Sequence, residues 1–251
     1  IELGAQAASD ARLPIAVNAD SLATWVLPAL DALVQEGVAL ELMVDDQDFT
    51  HDWLREGAVL GCVSTVSQAL RGCRVEPLGV MRYVAVASPD FVARQLPDGL
   101  HEANFAKVPF LVFNRKDDAQ TQWVSRAFNL KRPRLQERYV PSSEAYIRAA
   151  VMGWGVGVAA ELALRAPLAS GQLVALRPDV AVEVALYWHQ WELGGMSGAL
   201  NQSPLSRLDR IGQALVTHAR QVFGEEGAAV VAPLRRPRRR PVQTSMTKRP
   251  G

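Results

Sequence analysis

The chain of 251 residues has only two cysteines and four histidines, too few for a stapled or metal-centred protein. Cys62 and Cys73 fit no zinc spacing and no disulfide framework. Cys62 lies in an apolar run, where a cysteine serves as a small core residue. His51, His101, His189 and His218 are scattered, with no pair at the i, i+4 spacing of a zinc helix. No serine sits in a G-x-S-x-G elbow and neither cysteine has a local nucleophile signature, so catalysis is not expected. No apolar segment reaches the roughly 18 residues of a membrane span. The start lacks a basic-then-apolar leader. These absences predict a cytoplasmic protein with no membrane partner, no metal and no cofactor. The chain opens at Ile1 instead of methionine, which leaves room for an upstream segment.

Hydrophobic residues make up 49% and charged residues 21%, an ordinary globular balance. The length suits two lobes with one purpose. The net charge of +1 conceals an uneven distribution. Residues 235–251 hold seven Lys or Arg and no acid; setting those aside leaves 20 basic against 26 acidic residues in the body. An acidic body argues against a broad nucleic-acid surface and is compatible with a cationic small ligand. The tail, rich in Arg and Pro, is expected to be disordered, either as a solvated extension or as a non-specific contact for acidic surfaces.

The most informative stretch is 18–33. An apolar run at 13–17 reads as a buried strand, and Asp20 and Ser21 then supply oxygens where a helix begins. Leu22, Trp25, Val26, Ala29, Leu30 and Leu33 recur at intervals of three and four, which predicts a helix over 21–35. Pro28 either kinks it or marks where its regular part begins. The start of that helix is a seat for a carboxylate or phosphate, or Ser21 simply caps a core helix. Strands are expected at 38–44 and 59–64, with a short helix at 52–56 stopping at Gly57. This β-α-β-α-β order predicts a parallel sheet, with ligands gathering beyond the strand ends near Asp20, Asp45, Asp46, Ser64 and Thr65.

An extended apolar segment at 75–88 ends at Pro89, and a second β/α series follows. It comprises a strand at 110–113, a helix at 120–128 and a strand at 138–140. A helix over 145–152 is opened by Ser142, Ser143 and Glu144, with strands at 158–160 and 182–188 after it. Gly153, Gly155 and Gly157 follow a helix instead of opening one, so they read as a tight turn and not as a phosphate loop. Residues 187–191 read as a strand, with Tyr187, His189 and Trp191 on one face, although their rings could also stack on a ligand. A last helix at 204–223 carries Leu205, Leu208, Ile211, Leu215, Val216 and Val222 as its apolar stripe. Two α/β lobes joined by extended segments make a clamshell, and polar helix starts facing its cleft suit a zwitterion such as an amino acid.

The order of elements and the run Asn-Ala-Asp-Ser-Leu-Ala-Thr-Trp at 18–25 resemble the effector-binding region of LysR-type transcriptional regulators, within the ArgP/LysG branch. Matching pieces are Asp45-Asp46-Gln47-Asp48, Arg55-Glu56-Gly57, Leu78-Gly79 with Tyr83, and Ala87-Ser88-Pro89. Phe113-Asn114-Arg115-Lys116-Asp117, Ser142-Ser143-Glu144-Ala145 and Leu186-Tyr187-Trp188-His189 complete the set, over 13–223. Ala159 and Ala160 depart from it, standing where many relatives carry a proline. The resemblance implies two Rossmann-like lobes in a periplasmic-binding-protein-like (type 2) clamshell. Lobe I would be 13–86 plus 190–226 and lobe II 87–189, with 1–12 the end of a linker and 227–251 the basic tail. It implies an effector between the lobes, self-association as dimer or tetramer, and DNA contact only through an N-terminal winged helix-turn-helix that has no counterpart here. The branch senses basic amino acids and activates their export, so L-lysine or L-arginine is the expected effector. A solute-binding protein of an amino-acid transporter would share the clamshell, but should carry a secretory signal.

Carried over residue by residue, Ser21 would receive the ligand carboxylate, Ser64 and Thr65 would line the opposite wall, and Asn114, Ser142 and Ser143 would contribute from the second lobe. The acids follow from physics: a long cation left unpaired in a partly dry cleft is costly. Asp20, Asp45, Asp46 and Glu144 are the candidates, each with the alternative of a solvated loop charge or a helix cap.

Overall fold

The computed structural model describes residues 12–45, 50–192 and 204–230, except for the side chains of Asp45, 204–206 and 225–230. Of the expected linker end at 1–12 all but Arg12, of the acidic run at 45–48 the residues 46–48, and of the basic tail at 227–251 the residues from 231 lie outside the described residues.

Strand β1 (Leu13–Asn18) is almost wholly buried, as the central strand of a parallel sheet must be. Helix α1 covers 19–35 in three contiguous stretches: Ala19–Ser21, a π-helical turn at Leu22–Val26, and regular helix over Leu27–Gln35. Pro28 has no N–H for the Thr24 carbonyl and its ring crowds that oxygen, so the chain widens by a turn before regular winding resumes. Trp25, Val26, Leu30 and Leu33 form its buried stripe. There follow β2 (Leu40–Asp45), α2 (Thr50–Arg55), β3 (Gly61–Ser64) and the long β4 (Cys73–Ala87). Pro89 does end β4, but as the first residue of a helix, α3 (Pro89–Gln95), whose start Ser88 caps by accepting from Phe91 N at 3.3 Å.

The second series contains β5 (Pro109–Val112), α4 (Ala119–Phe128), β6 (Gln136–Tyr139), α5 (Ser143–Val151), β7 (Gly157–Ala160), α6 (Glu161–Ala169) and β8 (Val174–Leu176). The return strand β9 (Val182–Trp191) and helix α7 (Pro204–Val230) complete the fold. Helix α7 breaks at Gly224 (φ 79°), one residue past the expected end, then resumes over residues expected to open the tail.

Seven strands share one sheet in the order β2-β1-β3-β9-β4-β7, with β8 also paired to β4. The parallel sheet expected of the first three strands is present, but the whole sheet is mixed: β9 runs antiparallel to both β3 and β4. Strands β4 and β9 pass through both halves of the molecule. Cys73–Pro77 of β4 lies opposite the part of β9 that also pairs with β3, whereas Tyr83–Val86 pairs with β7. The lobe boundary expected at 189 thus falls inside a strand whose residues Tyr187 to Gln190 pair with β3. β5 and β6 pair in parallel, and β5 joins the segment before β7 through Phe110 and Val156.

Helix α7 lies over the crossing strands. Gly79 has φ +145°, and a Cβ there would stand 2.5 Å from the Phe223 Cβ, so only glycine lets the helix approach so closely. A buried polar chain fixes the same helix: Trp188 Nε1 donates to Gln190 Oε1 (2.7 Å), and Gln190 Nε2 donates to Asp209 Oδ1 (2.8 Å). Asp209 also meets Arg74 Nη2 at 2.8 Å. Trp188 therefore has little room to shift, and a Cβ on Gly61 would lie 2.5 Å from two of its ring carbons. Gly61→Ala is expected to lower stability by about 1–3 kcal/mol through overpacking. The urea midpoint checks this, and an unchanged midpoint would show that the indole can move.

Candidate functional site

Strand β1 delivers Asn18, Ala19 and Asp20 to the mouth between the lobes, because α1 starts directly at the strand end. Asp20 is half-buried, its carboxyl turned inward, and it joins three parts of the molecule. Its Oδ2 accepts from the Tyr83 hydroxyl on β4 at 2.9 Å, and its Oδ1 accepts from the Ser143 hydroxyl at the start of α5 at 2.7 Å. Burial holds its carboxyl pKa above the ordinary value of 3.8, against the lowering by these two hydrogen bonds, and the nearby charge of Asp117 adds to the rise.

Opposite Asp20, the loop between β5 and α4 is built by its own side chains. Asn114 Oδ1 accepts from Lys116 N (2.7 Å) and Asp117 N (3.2 Å), an Asx turn. Asp117 accepts from Phe113 N (3.0 Å), Ala119 N (3.1 Å) and Gln120 Nε2 (3.0 Å). Beneath the loop lies the hydroxyl of Tyr146, which donates to Leu111 O (2.8 Å) and accepts from Val158 N (3.0 Å) and Gln120 Nε2 (3.1 Å). Burial pushes this phenol pKa up, so it stays neutral.

These parts surround a cavity of about 340 Å³. Asn18 to Asp20 and Val44 come from one side, residues of the 113–122 segment with Ser143, Tyr146, Ile147, 158–160 and Ala163 from the other, and Tyr83, Val182 and Val184 from the crossing strands; Arg115 and Glu161 are not on the wall. Among the described residues, its ionisable lining consists of Asp20, Asp117, Asp118 and Lys116, with the phenols of Tyr83 and Tyr146. The excess of carboxylates favours a cation.

Of the residues singled out from the sequence, Asp20, Asn114 and Ser143 line this cavity. Ser21 does not: one position further along the helix it turns into the core, fully buried, with its hydroxyl lacking a hydrogen-bond partner. Ser64 is buried and accepts from Val66 N (3.2 Å), closing its own turn, and Thr65 beside it is not on the cavity wall. Ser142 caps α5 by accepting from Ala145 N (3.3 Å), and Glu144 is exposed in the first turn of that helix. Asp46 and the side chain of Asp45 lie outside the described residues. The cavity acids that sequence reasoning missed are Asp117 and Asp118. The run 113–117 is one of the matching pieces, but nothing in its pattern tells which side chain faces inward.

Burial lowers the His189 pKa to about 4, and its Nε2 lies 2.7 Å from Val66 O. Burial also pushes the Cys62 thiol up to about 12. Neither residue lines the cavity. Among the described residues, no group of three or more His, Cys, Asp or Glu could hold a metal ion. No helix among them is long and apolar enough to cross a membrane.

A mixed sheet with two crossing strands and a cavity between its halves defines the periplasmic-binding-protein-like (type 2) class of α/β fold. Residues 6–193 match the LysR substrate binding domain, and the chain belongs to that family. It is 45% identical over 183 residues to the HTH-type transcriptional regulator ArgP of Aeromonas salmonicida, covering 72% of this chain and 61% of that protein. The chain thus spans about three fifths of that relative's length. Among solved structures, it is similar to the C-terminal domains of a LysR family protein from Agrobacterium tumefaciens (TM-score 0.76, 37% identity, 84% of this chain and 98% of that one). It is also similar to full-length LysG from Corynebacterium glutamicum with bound effector Arg (TM-score 0.74, 30% identity, 88% and 71% covered). The matched relatives are transcriptional regulators, not enzymes.

The raised pKa of Asp20 bears on stability. A carboxyl that holds its proton more tightly when folded makes stability fall as pH rises from the unfolded value through the folded one. At neutral pH the buried charge is therefore a liability. Asp20→Asn, which keeps the shape and can hydrogen-bond Ser143 and Tyr83, is expected to raise the melting temperature at pH 7. The gain should fade as pH falls through the raised pKa of Asp20 toward 3.8. Scanning calorimetry from pH 3.5 to 7 checks this, and an equal effect at both ends would separate it from the Asp20 charge.

Proposed function

We propose that this chain is the effector-binding and oligomerisation region of a cytoplasmic LysR-type transcriptional regulator that senses L-lysine or L-arginine. The observation that carries the reading is the cavity between the two halves of the molecule, lined among the described residues by Asp20, Asp117 and Asp118 with one lysine, Lys116. A lysine or arginine ligand bears two positive groups and one negative, and that balance suits such a wall. The arginine bound in LysG of Corynebacterium glutamicum supports the same choice of ligand class. Asn114 and Ser143 would add neutral hydrogen bonds, and Phe113, Ile147, Val182 and Val184 would pack the ligand's methylene chain.

The lobes would divide within β4 and β9 instead of at 86 and 189, since both strands serve both halves. Effector binding would favour one arrangement of the lobes and of neighbouring subunits, in a dimer or tetramer. It can do so only through contacts that differ between arrangements. The parent protein would read DNA through an N-terminal region outside this chain and control genes such as an amino-acid exporter.

Isothermal titration calorimetry tests the assignment. Lysine or arginine should give saturable heat, whereas norleucine, which keeps the chain but lacks the terminal cation, should bind at least tenfold more weakly. Asp20→Asn should weaken lysine binding by roughly thirtyfold, about 2 kcal/mol, the scale for truncating one partner of a buried charge pair. Ser21→Ala should change it by less than about threefold, the factor corresponding to roughly 0.7 kcal/mol. Equal affinity for norleucine and lysine would overturn the reading.

A further inference from the structure

A side-chain hydrogen bond from Ser143 to Asp20, 2.7 Å long, crosses the cavity between residues 123 apart in sequence. Asp20 sits at the start of α1 and Ser143 at the start of α5, so this one bond ties the opening turns of two helices from opposite lobes. Both residues line the cavity. A serine hydroxyl has a single proton to donate, so Ser143 serves either Asp20 or another acceptor, never both. Asp20 has the complementary property: among the described residues, its hydrogen-bond donors are two neutral hydroxyls and no cation. Each end of the bond is thus better suited to one end of a zwitterion than to the other residue.

We propose that the Asp20–Ser143 hydrogen bond is a latch that the ligand replaces, the α-ammonium of an amino acid taking Asp20 and its α-carboxylate taking Ser143. The inference rests on the amino-acid reading of the cavity and adds how occupancy reaches the lobes. Ser143 turns its proton to the ligand, and Asp20 exchanges a neutral donor for a charged one, a stronger partner for a carboxylate. With no hydrogen left between them, the two oxygens repel, and the ligand's own N–Cα–C–O span of about 3 Å comes to lie between the residues. The start of α5 therefore moves away from the start of α1. The raised proton affinity of Asp20 agrees with this direction, since a buried carboxylate without a counter-ion gains most from one. Tyr83 keeps Asp20 aimed at the cavity throughout.

The test is a distance between lobes, read by double electron–electron resonance on the full 251-residue chain. Spin labels go on Gln35→Cys at the end of α1 and Met152→Cys after α5, both exposed, with unlabelled chain added in excess to suppress signals between subunits. The native Cys62 and Cys73 are buried and should not label, which the parent chain verifies. Without ligand, a single distance is expected. Ser143→Ala should shift or broaden it, and saturating lysine should shift the parent distance in the same direction. An unchanged distance in Ser143→Ala, with its melting temperature retained, would overturn the latch. Asp20→Ala breaks the same hydrogen bond from its acceptor side and should reproduce the shift if Ser143→Ala fails to fold. Lysine that binds by calorimetry yet leaves the distance unmoved overturns the replacement step alone. No heat from any amino acid overturns the ligand reading beneath it, independently of the distances in the variants.

Discussion

The pairing of β4 with β9 is the constraint on which the rest of the molecule depends. A chain that must pass twice between two lobes exposes backbone donors and acceptors at each crossing, and those groups need partners wherever water is excluded. Here the two crossings satisfy each other, from Cys73 opposite Trp191 to Tyr83 opposite Val182, with one register shift between Pro77 and Gly79. The lobes are therefore connected by a ribbon and not by two loose strings. The same ribbon supplies the floor of the cavity through Tyr83, Val182 and Val184. Helix α7 presses on the ribbon at its irregular point, where Gly79 admits Phe223 and Trp25 meets the same ring edge-on at 5.8 Å.

The cavity itself divides into a wall with its polar groups satisfied and one that carries a buried acid. On the lobe II side, the hydroxyl of Tyr146 gathers β5, β7 and α4 into one network, and Asp117 has its oxygens engaged by the loop it shapes. Such a wall is pre-organised and changes little when a ligand arrives. The lobe I side carries Asp20, an inward-turned acid held by neutral donors. A carboxyl buried without a counter-ion costs stability when it is charged, and that cost is lifted only by protonation or by a neighbouring positive charge.

Much of the fold was legible in the sequence. The period of three and four over 22–33 located α1, and the unbroken apolar runs at 13–17 and 59–64 located parallel strands, because a strand buried on both faces leaves no alternation. Pro28 marked a helix irregularity through a property that acts within one turn, its missing N–H, whereas the break at Gly224 was not read from the sequence. What stayed hidden depends on distant partners. α3 looked like the end of a strand because Pro89 both stops extended chain and starts helix. The short β8, three residues long, exists by virtue of β4 beside it. At the site, Asp20 and Ser21 are neighbours of similar polarity, and only the winding of α1 decides that the first faces the cavity and the second the core. The family resemblance assigns the ligand carboxylate to Ser21, whereas the oxygens on the cavity wall at this helix start are those of Asp20.

The π-helical turn at Leu22–Val26 stands directly behind Asp20 and sets its bearing. Such a turn amounts to one residue more than a regular helix would need, and one residue in an α-helix corresponds to about 100° of rotation. After Pro28 the helix is phased to the core through Leu30 and Leu33; before the turn Asp20 reaches the cavity while Ser21 beside it faces the core. The wide turn works as a gearing between these two phases, so the cavity acid can be aimed without disturbing the packing of the helix behind it. Removing one residue from that turn would rotate the first turn by about 100° relative to the core-facing part of the helix and carry Asp20 off the cavity wall.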